Sequence, residues 1–219
     1  MPVSLQHPWL HLDSIVRHLI DDRTYGRDAE LTWDDEMRGN RNAAMRAAGT
    51  MIFRDVLDRY QAAGDWLSCA SVSEFTPADT PFGTLQYFKR FEAERFPGRG
   101  KINLSSDHYR TWMLKTIYLP CRTVTFYGRG RIGLLRDLLG DLTHLGNDTR
   151  IGWGEIAEWR LERVEADWSL VRAGRAMRPI PVRMLSEWDD EAWLTWHAPY
   201  WDRSKVELCA PPGARVVLR

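Results

Sequence analysis

Apolar positions along this chain recur with two different periods, and the clearest switch between them falls between residues 123 and 145. Thr123-Val124-Thr125-Phe126-Tyr127 is a β-branched and aromatic run that predicts a strand. Gly128, Gly130 and Gly133 follow, and Ile132, Leu134, Leu135, Leu138, Leu139, Leu142 and Leu145 then recur at spacings of three and four. That spacing puts a leucine-rich stripe on a helix of about three turns. A glycine-rich loop from Gly146 to Gly154 leads into Glu155–Val164, where Ile156, Trp159, Leu161 and Val164 predict a bulged strand. The unit is strand, helix, glycine loop, strand.

Upstream, Ile15, Val16, Leu19 and Ile20 predict a helix, with Asp13 or Ser14 placed to cap it. Met1–Leu5 is long enough only for the tail of a preceding strand. Residues 21–64 are polar and broken by glycine, with a helical pattern at Met51, Ile52, Val56 and Leu57, and predict a helical surface insertion. Trp66–Phe75 alternates small and apolar residues as a strand does.

From residue 76 to 120 no period persists. Aromatics and cations interleave instead, in Tyr87-Phe88-Lys89-Arg90-Phe91, in Arg95 to Lys101 with Arg99 between, and in Tyr109 to Lys115. That composition suits a surface that stacks on bases and holds phosphates, and it is too aromatic for a disordered linker. Further on, Val171–Arg183 carries Arg172, Arg175, Arg178 and Arg183 with no acid, and Pro179 and Pro181 keep the backbone extended. Extended arginines can line a nucleic-acid groove. The tail holds Trp188, Trp193, Trp196, Tyr200 and Trp201 beside Glu187, Asp189, Asp190 and Glu191. It reads as a docking or domain-closing segment with its aromatics buried.

Composition changes the picture in one respect. The 219 residues carry 30 basic and 30 acidic side chains, so the whole-chain charge predicts no partner. Residues 82–183, however, hold 18 Lys and Arg against 11 Asp and Glu, which makes the middle basic and both ends acidic. A basic middle fits a polyanion-binding face, and the acidic flanks fit protein contacts. Cys69, Cys121 and Cys209 are odd in number and widely spaced, as expected of reduced thiols rather than a disulfide framework or zinc finger. No apolar run approaches a membrane span, and the expected location is the cytoplasm, with no membrane partner.

Three chemistries compete. Gly128-Arg129-Gly130-Arg131-Ile132-Gly133 matches the dinucleotide fingerprint between a strand and a helix, although no alternation of strands and helices follows to complete a parallel sheet. His11 is an isolated candidate for metal-independent RNA cleavage. Asp34, Asp35 and Glu36 could hold a hard cation, but a solvated acidic turn explains them as well. The second glycine cluster points elsewhere. Gly146, Gly152 and Gly154 let a backbone approach a phosphate, Arg150 supplies a charged fork, and Trp153 a face for a base.

At Thr143–Ile156 the chain resembles the RAMP superfamily of CRISPR-associated proteins, whose members carry such a loop after the second helix of a ferredoxin-like domain. Leu10-His11-Leu12-Asp13-Ser14-Ile15 and Gly174 with Met177–Val182 are similar to the type IV version. The resemblance covers most of residues 7–202 in short ordered phrases, and departs in nearly lacking the first strand. It implies an α+β fold, a ferredoxin-like (RRM-like) sheet over residues 1–183. A helical insertion at 21–64, a thumb hairpin at 76–120 and an aromatic extension at 184–219 complete it.

The implied role is binding without catalysis and without a metal or cofactor, as the subunit capping the 5′ handle of the guide RNA. Repeated backbone subunits and a large subunit are the implied protein partners, with target DNA a further one. The implied RNA-facing residues are Phe88, Lys89, Arg90, Phe91, Arg99, Lys101 and Lys115 on the thumb, Gly146, Arg150, Gly152, Trp153 and Gly154 in the loop, and Arg175 and Arg178 beyond it. A guide-processing ribonuclease using His11 and an enzyme using the glycines at 128–133 remain the alternatives.

Overall fold

A computed structural model describes residues 2–4, 9–25, 56–78, 83–89, 112–146, 152–200 and 202–219. The first half runs β1 (Pro2–Ser4), α1 (Leu12–Tyr25), β2 (Arg59–Ala62), β3 (Asp65–Ser68), β4 (Glu74–Pro77), β5 (Gly83–Lys89), β6 (Trp112–Thr125) and α2 (Ile132–Leu139). The second half is built from short strands: β7 (Val171–Arg172), β8 (Arg175–Ala176), β9 (Ile180–Pro181), β10 (Leu185–Trp188), β11 (Ala192–Thr195), β12 (Val206–Ala210) and β13 (Val216–Leu218). The fold is mixed α+β, with small antiparallel sheets and two helices among the described residues.

β6 organises the N-terminal half. It is 14 residues long, and it starts well before the Thr123–Tyr127 run that marks it in the sequence. β1 lies antiparallel along one edge, with Val3 opposite Leu119. β4 and β5 lie antiparallel along the other, with Phe75 opposite Val124 and Gln86 opposite Lys115. With β2, β3 and β5 set aside, β1, α1, β4, β6 and α2 occur in the order strand, helix, strand, strand, helix, and β6 lies between β1 and β4. The strand predicted over Trp66–Phe75 is divided into β3 and β4, because residues 69–72 turn aside to bond Asp58, Ser68, Tyr127 and Met177.

α1 buries Leu12, Val16, Leu19 and Ile20 against Leu135, Leu138 and Leu139 of α2, in the pattern the spacing predicts. α2 is eight residues rather than three full turns, and it ends at Gly140, a poor helix former. Leu142 and Leu145 continue the apolar spacing but are covered from the loop that follows. The strand expected over Glu155–Val164 is not formed. Glu155 makes one bridge to His144, and the Trp159 indole donates to the Leu142 carbonyl at 3.1 Å, which anchors the segment to α2's end rather than to a sheet edge.

A second core gathers Leu67 and Cys69 with Leu170, Ile180, Met184, Leu185, Trp196, Cys209 and Val216. β9 and β11 flank β12, and β10 pairs with β13. The C-terminal lobe thus starts near Leu170, and Val171–Ala176 forms a β-hairpin instead of an extended arginine track. Its two-residue turn is Ala173-Gly174, both at positive φ (50° and 73°), the geometry that matches strand twist. Among the described residues no helix is long and apolar enough to cross a membrane.

Candidate nucleic-acid interface

The β5–β6 hairpin presents two unlike faces. Cross-strand pairs share a face, and Thr84–Ile117, Gln86–Lys115 and Phe88–Met113 fall on the same one. That face is turned outward: Phe88 is 64% exposed, Met113 60% and Ile117 65%. Lys115 is exposed in the middle of these apolar side chains. The two strands contain Lys89, Lys115 and Arg122, and neither contains an acid. Alternation makes this arrangement, since β6 writes Met113, Lys115 and Ile117 at every second position. An exposed apolar and cationic ladder of this kind is a candidate binding surface.

The opposite face of the hairpin holds Tyr118, opposite Gly83. A Cβ on Gly83 would collide with the Tyr118 ring, so the phenol lies across the strand at that point. Trp153 meets Tyr118 edge to face, centroids 5.3 Å apart and planes at 64°. This contact docks the glycine loop on β6. The loop is closed on itself by the His144–Glu155 bridge and by Leu145 N–H donating to the Gly154 carbonyl at 2.8 Å. Gly154 has φ +70°, and a Cβ there would strike the Leu145 carbonyl. Gly152, φ +84°, has open space where a side chain would be.

The predicted residues are thus distributed over two faces. Gly146, Gly152, Trp153 and Gly154 sit at the base of the hairpin on the Tyr118 side, and Phe88 and Lys115 on the reverse side. Lys89 ends β5. Arg90, Phe91, Arg99, Lys101 and Arg150 lie outside the described residues, as do Asp34, Asp35 and Glu36. Arg175 is exposed, with one guanidinium nitrogen donating to the Gly213 carbonyl at 2.6 Å. Tyr118, Met113 and Ile117 were missed, because residues 112–119 carry apolar side chains at both strand parities and so show no alternation that would mark a strand.

Arg178 has to be removed from the RNA-facing set. It is 1% exposed, and its guanidinium is used inside the protein. It donates to the carbonyls of Ser68 (2.7 Å), Ala70 (3.1 Å) and Trp196 (2.9 Å), to the Tyr200 hydroxyl (2.7 Å), and to Asp13 (3.0 Å). Asp13 does not cap α1. Its buried carboxylate takes the Tyr200 O–H as well, at 2.9 Å. Burial alone would raise the Asp13 pKa, but Arg178, with His11 and the Tyr200 hydrogen bond, outweighs it and holds the carboxyl below its ordinary value. Burial pushes the Tyr200 phenol well above its own. His11 stacks flat on Tyr200, centroids 3.5 Å apart, and bridges to Val72. It is a packed member of this cluster.

The dinucleotide fingerprint is also accounted for by packing. A Cβ on Gly130 would strike the Val56 carbonyl, and one on Gly128 would sit 3.0 Å from Leu12. Arg129 N–H donates to the Cys69 carbonyl and Arg131 N–H to the Val56 carbonyl, at 2.9 and 3.0 Å. The chain's own backbone fills the place where a pyrophosphate would lie, and the surrounding sheet is antiparallel.

Residues 71–212 match the model of the family described as CRISPR type IV associated protein Csf3. No curated protein matches the chain.

Proposed function

The chain belongs to the Csf3 family of type IV CRISPR-associated proteins, and on that premise we propose that it is an RNA-binding subunit capping the 5′ handle of the guide RNA in a multisubunit effector complex. The observation that carries this reading is the outward face of the β5–β6 hairpin. Phe88, Met113 and Ile117 offer stacking and apolar contact around Lys115, on two strands without an acid to repel phosphate. The glycine loop supports it from the hairpin's base. There Trp153 is held on Tyr118, and Gly152 leaves its backbone open to approach by a phosphate, with Arg150 in the same loop. The order strand, helix, strand, strand, helix around β6 supports the ferredoxin-like RAMP comparison, with the hairpin in the role of the thumb.

The packing of His11 and Tyr200 into the Asp13–Arg178 cluster supports a role in binding rather than cleavage. Incubation of repeat RNA with the protein in EDTA tests this. Cleavage abolished by His11→Ala would replace the capping role with processing.

The central experiment is titration of a synthetic 5′-handle RNA with the full chain over a range of salt. Lys115→Glu is expected to lower the salt slope by about 1. Phe88→Ala should weaken binding by about 1–3 kcal/mol with the slope unchanged. Affinity and slope unchanged in both variants would overturn the assignment of the hairpin.

A further inference from the structure

The C-terminal lobe carries a second surface of opposite character. The sequence predicts that its tail aromatics are buried, and Trp196 is. Trp193 is 72% exposed and Trp188 42% exposed. Trp193 pairs across to Leu208 and Thr195 to Val206, so the outer face of β11 and β12 is apolar, with Val206 39% exposed. Between the two tryptophans runs the connection Asp189-Asp190-Glu191, preceded by Glu187.

This acidic turn is an ordered feature. The Trp188 indole donates to Glu191 at 2.9 Å, Glu191 N–H to the Asp190 carboxylate at 2.9 Å, and Arg215 N–H to Asp189 at 2.7 Å. The Arg215 guanidinium stands 3.6 Å from Asp189 and is the one cation paired to the turn among the described residues. The turn therefore carries three carboxylates, Glu191 on the Trp188 indole and Asp189 on a single arginine, with Glu187 and Trp193 flanking it in the chain.

Charge decides the occupant. A nucleic-acid backbone brought to this face would meet like charge. A second copy docked through the same patch by a two-fold axis would set acid against acid. A lysine or arginine side chain meets both requirements, since its stem packs on an indole, its charge lies over the ring, and a carboxylate stands beside it. We propose that the Trp193 face with the 187–191 turn is a docking site for an arginine- or lysine-bearing surface of another protein subunit. The proposal needs the assembly that family membership implies and is independent of the RNA contacts on the hairpin.

The test places a photo-crosslinking amino acid, p-benzoylphenylalanine, at position 193 of the full chain. This chain is co-expressed with the other subunits encoded beside it and a repeat-containing transcript. Mass spectrometry of the irradiated, purified complex should find the adduct on a Lys- or Arg-bearing segment of a different protein subunit. An adduct on RNA or on a second copy of this chain, or none in an assembled complex, overturns the proposal. The charge reversal Glu187→Lys with Asp190→Lys should cut incorporation into the complex by about tenfold. Handle-RNA affinity of the isolated variant should stay at the parent value, which separates this failure from failure of the RNA reading. Undiminished incorporation would also overturn it.

Discussion

The C-terminal lobe and the β5–β6 hairpin use positive charge in opposite ways. In the lobe, arginines point inward or along the surface onto acids brought from elsewhere. Arg178 reaches Asp13 across 165 residues of sequence, and Arg172 reaches Glu74 across 98. Arg183 bonds both Asp65 and Glu207 and lies over the Trp196 ring at 5.1 Å. In the hairpin, Lys115 stands among exposed apolar side chains on strands without an acid. An arginine run free of neighbouring acids therefore does not mark a nucleic-acid groove by itself. What matters is whether the fold supplies the acids, as it does for Arg172, Arg178 and Arg183.

The strongest way to break this comparison is Arg178→Met. It leaves the Asp13 carboxylate buried without its counter-ion, and chemical denaturation should show a loss of about 3–5 kcal/mol. A variant as stable as the parent would mean that the lobe does not depend on this pair. Gly130→Ala, which forces a methyl against the Val56 carbonyl, should cost about 1–3 kcal/mol in the same assay. Gly133→Ala, on the open side of α2, should instead stabilise by up to about 1 kcal/mol. Equal effects at the two glycines would argue against packing as the reason for the motif.

Acid should act on the lobe in two stages. Burial lowers the pKa of His197 below its ordinary value. The unfolded chain therefore takes up that proton first, and stability declines as pH falls below about 6.5. Asp13, also lowered in the folded state, adds stability that is lost only below about pH 4. Denaturation midpoints followed from neutral to acid pH should fall in both windows, and a flat profile to pH 4 would contradict the His197 environment. The smallest effect is expected at the hairpin, where Lys115→Glu should leave unfolding within about 0.5 kcal/mol of the parent. A large loss there would make Lys115 part of the fold and remove the contrast with the lobe.

Much of the N-terminal architecture is legible in the residues. The stripes Leu12, Val16, Leu19, Ile20 and Leu135, Leu138, Leu139 name the faces on which α1 and α2 meet. The glycine loop stands out as well, because Gly154 is needed where its backbone crosses Leu145. The long first half of β6 is hidden because both of its faces carry apolar residues and its hairpin partner shows no period. The expected strand over Glu155–Val164 fails for the opposite reason. Trp159 and Leu161 pack against the helix core instead, and the Trp159 indole bonds the Leu142 carbonyl.

By itself, the sequence determined the apolar stripes of α1 and α2, where the chain has to turn, and that its middle holds more cations than acids. Those properties are local, set by propensity, period and composition. Only the tertiary structure decided which cations are neutralised, since Asp13, Asp65 and Glu74 reach their arginines across the fold. It also decided which aromatics remain outside, burying Trp196 and leaving Trp193 and Phe88 exposed. Pairing and burial depend on the position of every neighbouring element, which no window of residues contains.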